Sequence, residues 1–349
     1  MKKLSNLIVL FVGVALWANP TPSGKYTKQK TIQKSVAVNA NSNLEVDTKY
    51  GNVMVTTWDQ NTIDFEIVIK LSSDDEKWVD TRLEEITVDF SGSKSTYTAK
   101  TMFGKPLKSG KNSSMEINYT IKIPKNGNLK VTNHYGVITH DLNGETDLVC
   151  KYGKISLGKL HNAKNSIKMD YCTKSSIEYL KGGDIHARYS GLTIGDFQSV
   201  QVNSGYSDVT TKSGERLIFK SNYGKINIEK ISFLDISGNY LTLKIGEIGK
   251  SLKVNTNYSN FTLDMISAQA KTIDISANYT NIRLTHAPGF AYDFSIATKY
   301  GNFKTEVPLE YNSRIETPTS KSYSGFFKKS GEGQISINSN YGNVQLQLP

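Results

Sequence analysis

Residues 221–228 read "SNYGKINI", and this stretch decides the fold because close copies of it recur along the chain. They are "TKYGNVMV" at 48–55, "NHYGVITH" at 133–140, "CKYGKISL" at 150–157, "TNYSNFTL" at 256–263, "ANYTNIRL" at 277–284, "TKYGNFKT" at 298–305 and "SNYGNVQL" at 339–346. With each tyrosine as position zero, the anchors are Tyr50, Tyr135, Tyr152, Tyr171, Tyr189, Tyr206, Tyr223, Tyr240, Tyr258, Tyr279, Tyr300 and Tyr341. From Tyr135 to Tyr300 the steps run 17, 19, 18, 17, 17, 17, 18, 21 and 21 residues, one short coil of chain per tyrosine. A period this short marks a stacked-repeat architecture.

Apolar residues keep fixed offsets within each unit. Around Tyr258, Leu252, Val254 and Thr256 precede it at alternate positions, and Phe261, Leu263 and Ile266 follow at +3, +5 and +8. Around Tyr223 the same places hold Leu217, Phe219 and Ser221, then Ile226, Ile228 and Ile231. Alternation at period two is a strand with one buried face. The jump from zero to +3 breaks that period, so a bend falls just after the tyrosine, often at a glycine such as Gly51, Gly136, Gly153, Gly224, Gly301 or Gly342.

Two short strands and a bend cannot bury an apolar side alone, whereas stacked copies build a continuous core. The expected fold is all-β: a single-stranded, β-helix-like β-solenoid of about 17–21-residue rungs. The tyrosine shares parity with the apolar residues before it. Position −2 is small in Ser204, Ser221, Gly238, Thr256, Ala277, Thr298 and Ser339, leaving room for a ring. Both features predict an internal tyrosine ladder, in which truncating one ring costs roughly 3–5 kcal/mol. The alternative is a row of exposed rings gripping sugar faces.

Position −1 is then the outward one, and it supplies the candidate binding face: Asn222, Asn239, Asn257, Asn278 and Asn340, with Lys49, Lys151, Arg188 and Lys299. Asparagines repeated in register can stack as a hydrogen-bonded column. The same pattern suits a solvated face or a glycan-binding one.

The remaining composition bounds the rest. The chain has 349 residues, 38% apolar, enough for a substantial core, and nineteen tyrosines lean it toward β structure. Lys2 and Lys3 followed by the apolar run 7–17 and then Ala18, Asn19 and Pro20 have the layout of a cleavable export signal over 1–18. No later segment is apolar enough to span a membrane as a helix, so the expected location is periplasmic, cell-surface or secreted. Cleavage removes Lys2 and Lys3 and lowers the formal charge from +10 to +8. An exported protein with that excess is not expected to take nucleic acid as a partner.

Residues 19–128 form an N-terminal β part holding the first rung and an insertion, and 129–349 the repeat proper. Within the insertion, "SSDDEKWVDTRLEEI" (72–86) predicts one short helix, capped by Ser73, with Val79, Leu83 and Ile86 on one face. "TIDFEIVIKL" (62–71) and "SMEINYTIKIP" (114–124) predict strands, joined through the loop "FGKPLKSGKNSS". A second interruption near Pro308 to Gly333 carries "GFFKK", a contact patch if its phenylalanines are exposed. The two cysteines, Cys150 and Cys172, fall on opposite faces by strand alternation and read as unpaired, packed thiols.

The early "YGNVMVTTWDQNTIDFEIVI", the strand "IKIPKNGNLKVTNHYGVI" and the terminal "GQISINSNYGNVQLQL" together resemble the family of exported bacterial β-solenoid proteins called putative adhesins, whose domain has no assigned function. The resemblance covers residues 35–349. It implies a β-solenoid at the envelope or cell surface with an adhesive role, and no catalytic residues.

Local motifs add no chemistry. His134, His140, His161, His186 and His286 are scattered without metal-ligand spacing, although His134 and His140 flank one bend beside Asp141. "GGDI" at 182–185 is expected to be a turn, and no nucleophile elbow, phosphate loop or dinucleotide fingerprint occurs. The reading is therefore a non-catalytic, adhesin-like solenoid without cofactor or metal, binding an envelope polymer, a glycan or a protein partner through its polar face. The alternatives are a polysaccharide lyase or hydrolase, which needs a carboxylate cluster that no rung supplies, and a structural or signalling envelope protein.

Overall fold

The structure is a computed structural model that describes residues 9–11, 24–105 and 110–349. The expected export signal lies outside the described residues except for Val9–Phe11, a short strand antiparallel to Tyr26–Ala37. The chain divides into two compact units, Met1–Thr173 and Lys174–Pro349.

In the first unit each rung contributes one strand to each of two parallel arrays. One array runs Thr96–Met102, Asn43–Lys49, Asn128–His134, Thr146–Lys151, Asn165–Asp170. The other runs Ser114–Pro124, Val53–Trp58, Val137–Leu142, Lys154–Leu160. The insertion after the first rung thus supplies the strand beyond it in both arrays. Antiparallel strands complete that end: Thr87–Gly92 on Thr96–Met102, and Thr62–Ser73 on Ser114–Pro124, with Tyr26–Ala37 outside it. The helix spans Glu76–Glu85 and packs on these last two strands, with Val79 and the following Ile86 buried and Leu83 half-buried. Its cap is Asp75, whose carboxylate accepts from the Trp78 N–H at 3.1 Å. Ser73, the expected cap, instead accepts from the Asp75 N–H and donates to the Lys111 carbonyl.

The second unit stacks rungs in the same parallel manner, but its far end departs from chain order. Gln334–Asn340 lies between Thr272–Asn278 and Tyr292–Lys299, parallel to both, and Val344–Gln347 lies between Asn281–His286 and Phe303–Thr305. The rung of Tyr341 therefore sits between those of Tyr279 and Tyr300. Ser320–Phe327 covers Tyr292–Lys299 antiparallel, and Glu310–Glu316 pairs with Ser320–Phe327 outside it. The "GFFKK" patch is corrected by this hairpin: Phe327 is buried against His286 and Tyr292, with ring centroids 5.1 and 5.6 Å away, and Phe326 is half-buried.

The internal tyrosine ladder is also corrected. All twelve anchor tyrosines adopt left-handed backbone with φ between 50° and 64°. These tyrosines are 41–54% exposed, while the alternating neighbours are buried. Around Tyr258, Leu252, Val254 and Thr256 point inward, Tyr258 points out, and Ser259, Phe261 and Leu263 point inward again. One left-handed residue between extended segments turns the corner, so positions −1 and 0 both face outward and +1 faces in. Strand alternation does not contain that slip.

The glycines at +1 serve a different purpose from the one expected. Only Gly224 among them has a positive φ, whereas a Cβ on Gly136 would overlap the Gly51 carbonyl oxygen, and one on Gly153 that of Gly136. They are required by close approach of the neighbouring rung. The same corner geometry brings Cys150, at −2, and Cys172, at +1, to the same inward side, where both are buried.

A half-exposed ring loses less on truncation than a core ring. Tyr240→Ala should destabilise the second unit by about 1–2 kcal/mol, against roughly 3–5 kcal/mol for Phe261→Ala. Tyr240→Asn should be milder than Tyr240→Ala, because asparagine tolerates left-handed backbone. Urea denaturation midpoints of the three variants check the order.

His140 lies inside the first unit, level with Val55 and Leu157 of the flanking rungs, and among the described residues neither ring nitrogen has a hydrogen-bond partner. Burial pushes its imidazole down to about 4. Unfolding returns it to about 6.5, so the unfolded chain binds the extra proton and stability falls as pH drops from 6.5 toward 4. The loss at pH 5 is roughly 2 kcal/mol. His140→Leu should flatten the difference between urea midpoints measured at pH 7.5 and 5.0.

Candidate functional site

The outward slip at each corner gathers the tyrosines into stacks. In the first unit Tyr50, Tyr135, Tyr152 and Tyr171 follow one another at ring-centroid distances of 5.4, 5.2 and 5.1 Å, and Phe103 closes the Tyr50 end edge-on at 5.9 Å. In the second unit eight rings stack in the order Tyr189, Tyr206, Tyr223, Tyr240, Tyr258, Tyr279, Tyr341, Tyr300 at 4.7–5.2 Å. Adjacent planes lie within 16° of parallel. The spacing follows from the rung repeat, since neighbouring strands lie about 4.7–4.9 Å apart.

Stacking has a direct chemical result. Within each row the ring faces cover one another, and what reaches solvent is a comb of ring edges. A sugar that packs on an aromatic face finds no open face inside the row. Lys299 extends its ammonium over the Tyr300 ring at the row's end, 5.7 Å from the centroid.

Beside this row runs the asparagine column. Asn239 donates to the Asn222 side-chain oxygen at 2.9 Å, Asn257 to Asn239 at 2.8 Å, Asn278 to Asn257 at 2.6 Å and Asn340 to Asn278 at 2.8 Å. Register places Arg188 and Gly205 before Asn222, and Lys299 after Asn340. In the second unit the candidate residues thus form one line, cationic at each end. In the first unit the corresponding line is Lys49, His134, Lys151, Asp170. Desolvation, followed by the charges of Lys49 and Lys151, lowers the His134 pKa.

A third column, at +2, joins rungs through side-chain oxygens: Asp208 accepts from the Lys225 N–H at 2.9 Å, and Asn343 accepts from the Asn302 N–H at 3.1 Å. Inside the corner, at +1, Ser207 and Ser259 each donate to the carbonyl two residues earlier, both at 2.9 Å, and accept from an amide of the preceding rung, both at 3.0 Å. The tyrosine corner is therefore bound on both sides by hydrogen bonds running along the stack.

The histidines do not converge. His140 is interior whereas His134 stands on the outward line. His286 is buried, its Nδ1 3.1 Å from the Ala287 carbonyl and its Nε2 3.2 Å from the Tyr292 hydroxyl. A carbonyl only accepts, so Nδ1 carries the proton and Nε2 accepts from Tyr292. Desolvation lowers the His286 pKa. Among the described residues no group of three or more His, Cys, Asp or Glu is placed to hold a metal ion, and no helix is long and apolar enough to cross a membrane. A cleft of about 290 Å³ in the first unit is lined by Glu45, Glu145 and Asp147 with Lys130 and Lys164. There Glu45 pairs with Lys130 at 3.8 Å and Glu145 with Lys164 at 4.0 Å.

No protein-family model and no curated protein matches the sequence. Solved structures of similar course include a "putative adhesin" from Parabacteroides distasonis, 10% identical over 93% of this chain and 98% of that one, with a TM-score of 0.35. Another "putative adhesin", from Parabacteroides merdae, is 9% identical over 90% and 95%, with a TM-score of 0.32. A "putative cell adhesion protein" from Clostridium sporogenes is 11% identical over 92% and 100%, with a TM-score of 0.21. At these identities and scores the likeness transfers neither activity nor ligand to this chain.

The amide column gives a local prediction. Asn257→Ala removes one donated and one accepted hydrogen bond and should cost roughly 1 kcal/mol. Thermal unfolding beside Thr262→Ala, an outward substitution away from the column, checks it.

Proposed function

We propose that this protein is a non-catalytic, adhesin-like β-solenoid that acts outside the cytoplasm and binds an extended polymer along its tyrosine and asparagine columns. The observation that carries the reading is the exposed eight-ring row of the second unit. Left-handed backbone is unfavourable for a residue with a bulky side chain, and glycine or asparagine would turn the same corner at lower cost. Retaining a half-exposed tyrosine at every corner builds a continuous surface of aromatic edges, and such surfaces mark interaction sites.

The covered ring faces select the mode of binding. A partner meets phenolic hydroxyls and amides repeated at rung spacing, groups that donate and accept hydrogen bonds. An extended glycan or envelope polysaccharide, rich in hydroxyls, suits that comb better than a compact globular partner. Arg188 and Lys299 at the ends of the line add attraction for anionic groups, a contribution that salt screens.

The test is a binding screen of the full chain against neutral and anionic glycans and envelope polymers, at low and high salt, with Tyr223→Phe/Tyr240→Phe/Tyr258→Phe as the comparison. Phenylalanine keeps the ring stack and removes three hydroxyls. Salt-resistant binding to one polymer class, weakened tenfold or more in the triple variant, is the expected result. Binding that disappears at high salt for every polymer, or is unchanged in the triple variant, would overturn it.

A further inference from the structure

The only two cysteines of the chain stand in neighbouring rungs of the first unit, and the corner geometry aims one at the other. Cys172 occupies the +1 position after Tyr171, the place held by Ser207 after Tyr206. The Ser207 hydroxyl contacts two carbonyl oxygens: that of Gly205, two residues earlier, at 2.9 Å, and that of Ala187, the −2 residue of the preceding rung, at 3.2 Å. Cys172 repeats the pattern, with its sulfur 3.4 Å from the Asp170 carbonyl and 3.3 Å from the carbonyl of the −2 residue of the preceding rung. That residue is Cys150. The two thiols hydrogen-bond to each other, and both residues are fully buried.

We propose that Cys150 and Cys172 are a cross-linking site, forming a disulfide that ties two successive rungs of the first unit together. Met169, not Cys172, is the strand partner of Cys150, and it is the turn at Tyr171 that carries the Cys172 sulfur back to 3.3 Å from the Cys150 carbonyl, within reach of a short cross-link. No other thiol competes, so the connectivity is fixed. In the folded chain the hydrogen bond from Cys150 lowers the Cys172 pKa, and the same contact, with burial, pushes the Cys150 thiol up.

The oxidant is a disulfide, either of a thiol–disulfide oxidoreductase or of a small thiol such as oxidised glutathione. One of the two cysteines, as its thiolate, attacks one sulfur of that disulfide and expels the other as a thiolate, giving a mixed disulfide. The second cysteine then gives up its proton and displaces the carrier sulfur, forming the Cys150–Cys172 bond. Two protein thiols lose two electrons and two protons, and the oxidant leaves as two thiols. Because both sulfurs are buried, the exchange takes place before the corner closes in folding.

The experiment is refolding of the full chain in a glutathione redox buffer and, separately, under excess dithiothreitol. Alkylation in denaturant, intact mass and a non-reducing peptide map follow. The expected result after oxidation is a monomer lighter by two hydrogens, with neither cysteine alkylated and one cross-linked peptide pair. Its melting temperature should be several degrees above that of the reduced chain. Cys150→Ser and Cys172→Ser should each keep the fold by circular dichroism, leave one alkylatable thiol and lose the redox-dependent shift. Two alkylatable thiols after oxidative refolding, or a cross-link found only between chains, would overturn the proposal. This inference is independent of what the tyrosine face binds.

Discussion

The structure depends on one backbone constraint, the left-handed tyrosine at each corner. Parallel strands stacked at a fixed rise need a turn that keeps both flanking strands facing one core, and a strictly alternating chain cannot supply it. A single residue near φ 55° produces the change of parity. It sends two adjacent side chains outward and brings the next one in. The core, the exposed aromatic row, the amide column and the hydroxyl column inside the corner are all consequences of that slip. The conformational cost at each corner is of order 1–2 kcal/mol, and ring stacking, at about 0.5–1.5 kcal/mol per pair, offsets much of it. The ladder is thus an energetic part of the corner as well as a surface.

The repeat and its core were legible because burial at alternate positions leaves a mark in composition. Leu252, Val254, Phe261 and Leu263 announce their own environment, and 62–71 and 114–124 read as strands before their antiparallel pairing is known. The orientation of the tyrosines was not legible by the same means. Period-two reasoning extends the inward register of Leu252 and Val254 through to Tyr258, and nothing in residue type reveals a sign change in φ. The available signal was the small +1 residue, Gly, Ser, Thr or Cys in eleven of the twelve rungs, which marks an inward position too confined for a large side chain. The candidate line from Asn222 to Asn340 was visible as a run of one residue type, but its hydrogen-bonded continuity depends on rotamers that sequence does not encode.

The ends of the arrays use two devices for one problem. A stack of identical rungs presents an open edge at each end, ready to pair with another strand. In the first unit the insertion supplies strands beyond the first rung and then antiparallel strands and a helix. In the second unit the hairpin of Glu310–Glu316 and Ser320–Phe327 is laid antiparallel over the rung of Tyr300. Its outer strand, exposed along its whole length, carries Arg314, Glu310 and Glu316, charges of the kind that discourage edge pairing.

The placement of Gln334–Asn340 between two earlier rungs makes assembly order matter. The rung of Tyr300 is complete some thirty residues before the segment that separates it from the rung of Tyr279, and both offer the same repeating edge. If they met first, the later strand would find its slot occupied, and the chain would be trapped in a compact, fully paired but misordered stack. The 21-residue steps on either side of Tyr279 and the antiparallel hairpin after Tyr300 give that final rung a reason to form as a separate piece, docking only when the intervening strand has been laid down. A growing solenoid that adds each coil to the last can fold as it emerges; this one has to leave a vacancy and return to fill it.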